Sequence, residues 1–166
     1  MKLFLLFRIG PDHYALDAGE IAEVLPLTTL KHLPEAPHWV SGLLARGDDV
    51  VPVIDVNALA TGTPAASRTS TRTVLVHYRR RMEDPASLLG LRLEYATETL
   101  RCEPGEFVDS GLAPGPARYL GPVRNGGQGL VQWVRVNALL PDDVHAMLFP
   151  GLPPNTPAAG SAAPGP

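Results

Sequence analysis

Apolar and polar positions alternate over short stretches that glycine and proline keep interrupting, so the chain predicts strands and turns more than helices. Leu3 to Ile9 is a nearly continuous apolar run, the pattern of a strand covered on both faces. Gly10-Pro11-Asp12-His13 supplies turn residues, after which Tyr14 and Leu16 alternate with Ala15 and Asp17 to complete a hairpin. From Asp17 two readings fit. Asp17 and Glu20 stand at capping-box spacing, while Ile21, Val24 and Leu25 suit either a helical turn or a bending strand. The expectation is one turn, then a strand through Pro26.

The stretch Leu33 to Val56, LPEAPHWVSGLLARGDDVVPVIDV, organises the chain. Pro37 opens a helical turn where its missing N–H does no harm, and His38 to Leu44 is expected to make about two helical turns with Val40, Leu43 and Leu44 on one side. Gly42 weakens a helix by roughly 1 kcal/mol relative to alanine, so its presence points to a close approach of another backbone or a partner. Arg46-Gly47-Asp48-Asp49 reads as a turn, Val50 to Ile54 as a buried strand, and Asp55 as the cap of a short helix, Val56 to Ala60.

Downstream, Thr61 to Ser70 is a polar loop and Thr73 to Tyr78 a strand; Arg79 to Pro85 is a charged tip. Leu88 to Leu93 resumes as a strand and Glu94 to Arg101 keeps strand character. Gly90 lies inside the first of these, where a glycine marks a bulge, a bend or the close approach of another chain. Tyr119 to Arg124 and Leu130 to Val136 flank Asn125-Gly126-Gly127, residues that tolerate the positive φ of a tight hairpin. Asn137 caps a last short helix that Pro141 limits, and Asp142 to Leu148 makes one more helical turn. Residues 150–166, rich in Pro, Ala and Gly, are expected to be disordered, leaving residues 1–149 as one domain. Eight to ten short strands imply an all-β fold, a barrel or a pair of barrels.

Composition adds exclusions. Eighteen prolines and sixteen glycines leave no room for a long helix. Fourteen basic against seventeen acidic residues, a net charge of −3, is too balanced for a general nucleic-acid binder. The single Cys102 rules out an internal disulfide and fits a reducing compartment; the N-terminal apolar run is too short for a signal peptide or a membrane span. A cytoplasmic protein without membrane insertion is expected. No catalytic or metal motif stands out. His32 and His38 are separated by prolines with no third ligand near, Asp48 and Asp49 project apart on a turn, and Cys102 has Glu98 and Glu103 as neighbours, which disfavour a thiolate. A chain with a good core and no reactive cluster is expected to bind rather than catalyse, with no cofactor and no metal.

Taken in order, FRIGPDHYALDAGEIAEVL, LPEAPHWVSGLLARGDDVVPVIDV, LLGLRLEYATETL and YLGPV before the Asn-Gly-Gly hairpin resemble the CheW family, the coupling proteins of bacterial chemosensory arrays. The resemblance covers roughly residues 3–140. It implies two intertwined five-stranded SH3-like β-barrels with a hydrophobic seam and a few short helices. It also implies a non-catalytic adaptor that bridges the cytoplasmic tip of a methyl-accepting chemoreceptor to the regulatory domain of a CheA-type histidine kinase, itself of the same fold. By matching position, Ile21, Glu23 and Val24 lie on the strand lining the receptor groove, and Gly42, Arg46, Gly90 and Ala96 fall in segments associated with receptor or kinase contact. The family usually reads G-x-x-N-L-R-G where this chain has Gly42-Leu43-Leu44-Ala45-Arg46-Gly47, one residue shorter and without the asparagine. ATETL and EPGEFVDSG are similar to coupling proteins of Wsp-type pathways, which control cyclic-di-GMP.

Apart from the family, an apolar groove rimmed by Glu23 and Arg46 would accept an amphipathic helix, although Ile21 and Val24 fit a plain core role equally well. An oligonucleotide-binding barrel shares the short strands and turn-rich loops and is the alternative.

Overall fold

Ser87–Cys102 forms one sixteen-residue strand, and the architecture depends on it. The computed structural model describes residues 1–112 and 115–151. In chain order the strands are β1 (Lys2–Ile9), β2 (Asp12–Asp17), β3 (Ile21–Pro26), β4 (Val40–Arg46), β5 (Asp49–Asp55), β6 (Arg72–Tyr78), β7 (Ser87–Cys102), β8 (Leu120–Gly126) and β9 (Gly129–Val134). Two short helices, α1 (Val56–Thr61) and α2 (Asp142–Leu148), come after β5 and β9. Up to Leu93, β7 lies between antiparallel β6 and parallel β5; from Glu94 on it pairs antiparallel with β1. It therefore serves two five-stranded barrels. The first holds β1, β2, β8, β9 and the second half of β7; the second holds β3 to β6 and the first half. Backbone bridges between Val108 and Val123, and between Lys31 and Leu43, close them. This is the pair of intertwined barrels the sequence resemblance implies.

The handover is marked in the backbone. Tyr95, between the two halves of β7, has φ 54°, a conformation non-glycine residues rarely adopt, and the guanidinium of Arg8 lies 4.6 Å from its ring centroid. Side-chain alternation then sorts the core. Along β1, Phe4 and Leu6 point into the first barrel with Ala15, Cys102, Phe107 and Val131. Leu5, Phe7 and Ile9 point the other way, into a larger cluster shared by both barrels. Along β6, Leu75 fills the second barrel with Leu44, Val51 and Val53, while Val74, Val76 and Tyr78 join the shared cluster. Each strand thus feeds a barrel interior with one face and the seam with the other. α2 covers one end of the seam through Val144, and its His145 Nδ1 lies 3.0 Å from the buried Tyr78 hydroxyl.

The two barrels are built alike. β3 on β6, β6 on β7, β5 on β7 and β4 on β5 have as counterparts β7 on β1, β1 on β2, β9 on β2 and β8 on β9, with the same parallel or antiparallel sense in each case. The sequence carries the trace. Val56-Asn57-Ala58-Leu59 comes after β5 and Val136-Asn137-Ala138-Leu139 after β9. Ile21-Ala22-Glu23-Val24-Leu25 corresponds to Ala96-Thr97-Glu98-Thr99-Leu100, Glu23 standing opposite Leu75 and Glu98 opposite Leu6, each beside a register shift.

Most expected elements form where the sequence places them, including the turn Ala18–Glu20 before β3 and the Asp55 cap, whose Oδ1 accepts the Ala58 N–H at 2.9 Å. The helix expected over residues 38–44 does not form. Residues 38 and 39 make a turn and β4 comes next, because the buried positions are Val40, Gly42 and Leu44, a period of two that includes the glycine. The tail expected to be disordered lies, from residue 152 on, outside the described residues.

Because both barrels lean on one seam, they should unfold together. Leu91→Ala, at a fully buried seam position of β7, is expected to cost about 2–5 kcal/mol. Denaturation followed separately through Trp39 in the second barrel and Trp133 in the first, in single-tryptophan versions, should give one shared transition before and after the change.

Candidate partner-binding surface

Strand β3 alternates strictly. Ile21, Glu23 and Leu25 are partly buried, and Ala22, Val24 and Pro26 are exposed. Ile21 packs on the seam and Leu25 on the core of the second barrel. That leaves Ala22, Val24 and Pro26 as an apolar outward row, with Val24 46% exposed. The matching strand of the first barrel presents Thr97, Thr99 and Arg101, all exposed, in the corresponding places. One scaffold used twice is therefore greasy on one outer face and polar on the other.

Beside this row, Glu23 Oε1 accepts a hydrogen bond from Arg46 Nε at 2.7 Å and lies 2.6 Å from Nη2 in the same ion pair. The pair ties β3 to the end of β4. The first barrel repeats the device: Arg124 of β8 reaches Glu106, just beyond β7, at 3.0 Å. With side chains 42% and 39% exposed, the Arg46–Glu23 pair contributes at most about 1 kcal/mol and weakens with salt. Its larger effect is to hold a carboxylate and a guanidinium at fixed places on the rim. Arg46 ends β4 opposite Asp49 and reaches that rim beside Glu23.

The sequence-predicted residues thus fall into two groups. Ile21, Glu23, Val24 and Arg46 come together at the β3 rim. Gly42, Gly90 and Ala96 are buried and lie beneath the surface. Gly42 has φ 145°, and a Cβ on it would lie 2.4 Å from the Lys31 carbonyl oxygen, so it admits the segment whose Lys31 N–H and C=O both bond Leu43. A Cβ on Gly90 would lie 2.7 Å from Val53 Cγ2. The close approach that Gly90 signals is by this chain's own β5. Ala96 is 2% exposed in the seam, its N–H bonded to the Ser70 carbonyl at 3.1 Å. Sequence reasoning passed over Ala22 and Pro26, which the strict alternation of β3 marks, and the repeat of that strand in ATETL. His32 and His38 do line one shallow cavity, beside Asp55 and Arg92, but no group of three or more metal-ligating side chains gathers among the described residues.

Glu20 lies in the turn at the entry to β3. Its carboxyl is pushed up from 4.5 to about 7, first by burial and then by the nearby Asp17 charge, with Lys2 partly offsetting both.

With two barrels, a shared seam and this rim in view, the comparison with known proteins is direct. Residues 3–144 match the CheW-like domain. The chain belongs to that family. Among solved structures it is similar to the scaffolding protein TtCheW from Thermoanaerobacter tengcongensis, at 15% identity and a TM-score of 0.72, over 84% of this chain and 88% of that one. That likeness establishes the shared fold. No curated protein matches the chain in sequence. No helix among the described residues is long and apolar enough to cross a membrane.

Two variants separate architecture from surface. Gly42→Ala is expected to destabilise the fold by about 1–3 kcal/mol, since the clash is with backbone, whereas Glu23→Gln should change stability by less than about 1 kcal/mol in chemical denaturation. The raised Glu20 group makes stability pH-dependent. Between about 4.5 and about 7 the unfolded chain loses this proton while the folded chain keeps it, so stability falls as pH rises through that window. Glu20→Gln should flatten this part of a melting-temperature profile.

Proposed function

We propose that this CheW-like protein is a non-catalytic adaptor that couples a chemoreceptor to a chemotaxis-type histidine kinase in the cytoplasm. The observation that carries the reading is the asymmetry between equivalent strands: Ala22, Val24 and Pro26 make an exposed apolar row on β3, and Thr97, Thr99 and Arg101 do not on β7. A strand face of that kind, with a fixed carboxylate and guanidinium at its edge, suits the amphipathic helical tip of a receptor. Apolar side chains supply the affinity and Glu23 with Arg46 sets register and discriminates partners. Ile21 backs the row from the seam, and Gly42, Gly90 and Ala96 act by holding β4 and β7 in place beneath it. The kinase regulatory domain, of like fold, meets the β4–β5 hairpin, where Val50 is 65% exposed beyond Arg46. Membership of the CheW-like family supports this adaptor reading over an oligonucleotide-binding barrel. On the ATETL and EPGEFVDSG segments we place the pathway in the Wsp-type group with a cyclic-di-GMP output.

The test is reconstitution with receptor-containing membranes and kinase. Val24→Asp puts a charge in the exposed row without entering the core. It is expected to lower receptor binding by about tenfold or more while melting behaviour is kept. Arg46→Glu should reduce coupling and Glu23→Arg together with Arg46→Glu should restore part of it. Full kinase activation by Val24→Asp would refute the assigned face.

A further inference from the structure

Between the two barrels lies a cleft of about 460 Å³, within the range of small-ligand sites, and neither the outward β3 row nor Arg46 lines it. Its walls come from the turn before β3, the end of β6 with the loop after it, and β8 and β9. Three arginines converge there from both barrels. Arg79 Nη1 donates to the carbonyls of Met82 at 3.3 Å and Asp84 at 3.4 Å, which sets the loop, and Arg81 pairs with Glu83 and Asp84 at 3.4 and 3.6 Å. Arg135, from beyond β9, has no ion-pair partner among the described residues. Gly121 lies against β9: a Cβ there would lie 2.8 Å from the Trp133 carbonyl oxygen and, at an ordinary contact distance, 3.5 Å from the Arg135 guanidinium carbon.

Trp133 lines the cleft and packs on Phe4 and Phe107 at centroid distances of 4.9 and 5.2 Å, the rings steeply inclined to one another. Of the two carboxyls at the cleft, Asp17 is bonded to Lys2 at 3.0 Å, and burial pushes Glu20 up to about 7, so that near neutral pH it is ionised only in part. The cleft keeps the guanidiniums of Arg79 and Arg135, neither paired with a carboxylate among the described residues, beside Trp133.

We infer that this inter-barrel cleft binds a small ligand that carries a phosphate or carboxylate on a flat aromatic ring, the anion taken by Arg79 and Arg135 and the ring lying against Trp133. Binding here is a property of the chain alone and does not depend on the adaptor reading.

The full chain with Trp39→Phe keeps Trp133 as its one tryptophan, so emission reports on the cleft. Three probes separate the two halves of the ligand: AMP has ring and charge, adenosine the ring alone, inorganic phosphate the charge alone. AMP is expected to quench Trp133 saturably, with a Kd about tenfold or more below that of either fragment, because the two contacts are linked. Arg135→Glu should weaken AMP binding by about tenfold or more and Arg135→Ala by less, and Arg101→Glu on the far face of β7 should leave it unchanged. If Arg135→Glu lowers the melting temperature, Arg135→Ala in a protein of unchanged melting temperature decides. No saturable quenching by AMP, or an AMP affinity indifferent to Arg135, would overturn the inference.

Discussion

The apolar seam between the barrels is the constraint on which the rest of the structure depends. Neither barrel has a large core of its own. The interiors are filled by a few residues each, Phe4, Leu6 and Val131 in one and Leu44, Val53 and Leu75 in the other, while the larger cluster lies where they meet. A small barrel is marginal by itself, and a shared interface removes more apolar area from water than two separate cores could. β7 makes the sharing obligatory. One strand cannot leave either barrel without opening both, and Tyr95 accepts a left-handed backbone at the crossing point to let it serve the two.

A fold made of two like halves could present two like surfaces. Here the halves agree at several packed positions and differ at exposed ones. Leu25 and Leu100 both cover a barrel core, and Arg46–Glu23 and Arg124–Glu106 both brace a strand end. Outward positions are free of such demands, and they have diverged into an apolar row on β3 and a polar one on β7. On the proposed adaptor reading that divergence would let the protein tell one partner from another, which identical faces would not.

Much of this was legible in the chain. Period-two runs, the Asp55 cap and the Arg46 to Asp49 turn all report local physics, and local physics is what a sequence displays; the last hairpin forms as expected but turns at Gly127-Gln128, with positive φ at Gly129 and not at Asn125 to Gly127. The misread stretch, residues 38–44, shows the limit. Val40, Leu43 and Leu44 satisfy a helical stripe, and only knowledge that Lys31 bonds Leu43 reveals why a glycine occupies the buried place between Val40 and Leu44. Gly90 and Ala96 tell the same story, for their contacts with Val53 and with the seam are long-range and leave no periodic trace. The seven candidate residues came as a set from family resemblance. Their division into four at the rim and three beneath it needed the fold.

An adaptor with two working faces can be occupied on both at once, and hydrogen–deuterium exchange on the assembled complex tests that most directly. With a receptor cytoplasmic fragment and the kinase regulatory domain both bound, the account predicts two separate footprints of added protection, one over residues 18–26 and one over the β4–β5 hairpin. A single footprint for which the two partners compete, or protection confined to β7 and β8, would contradict it.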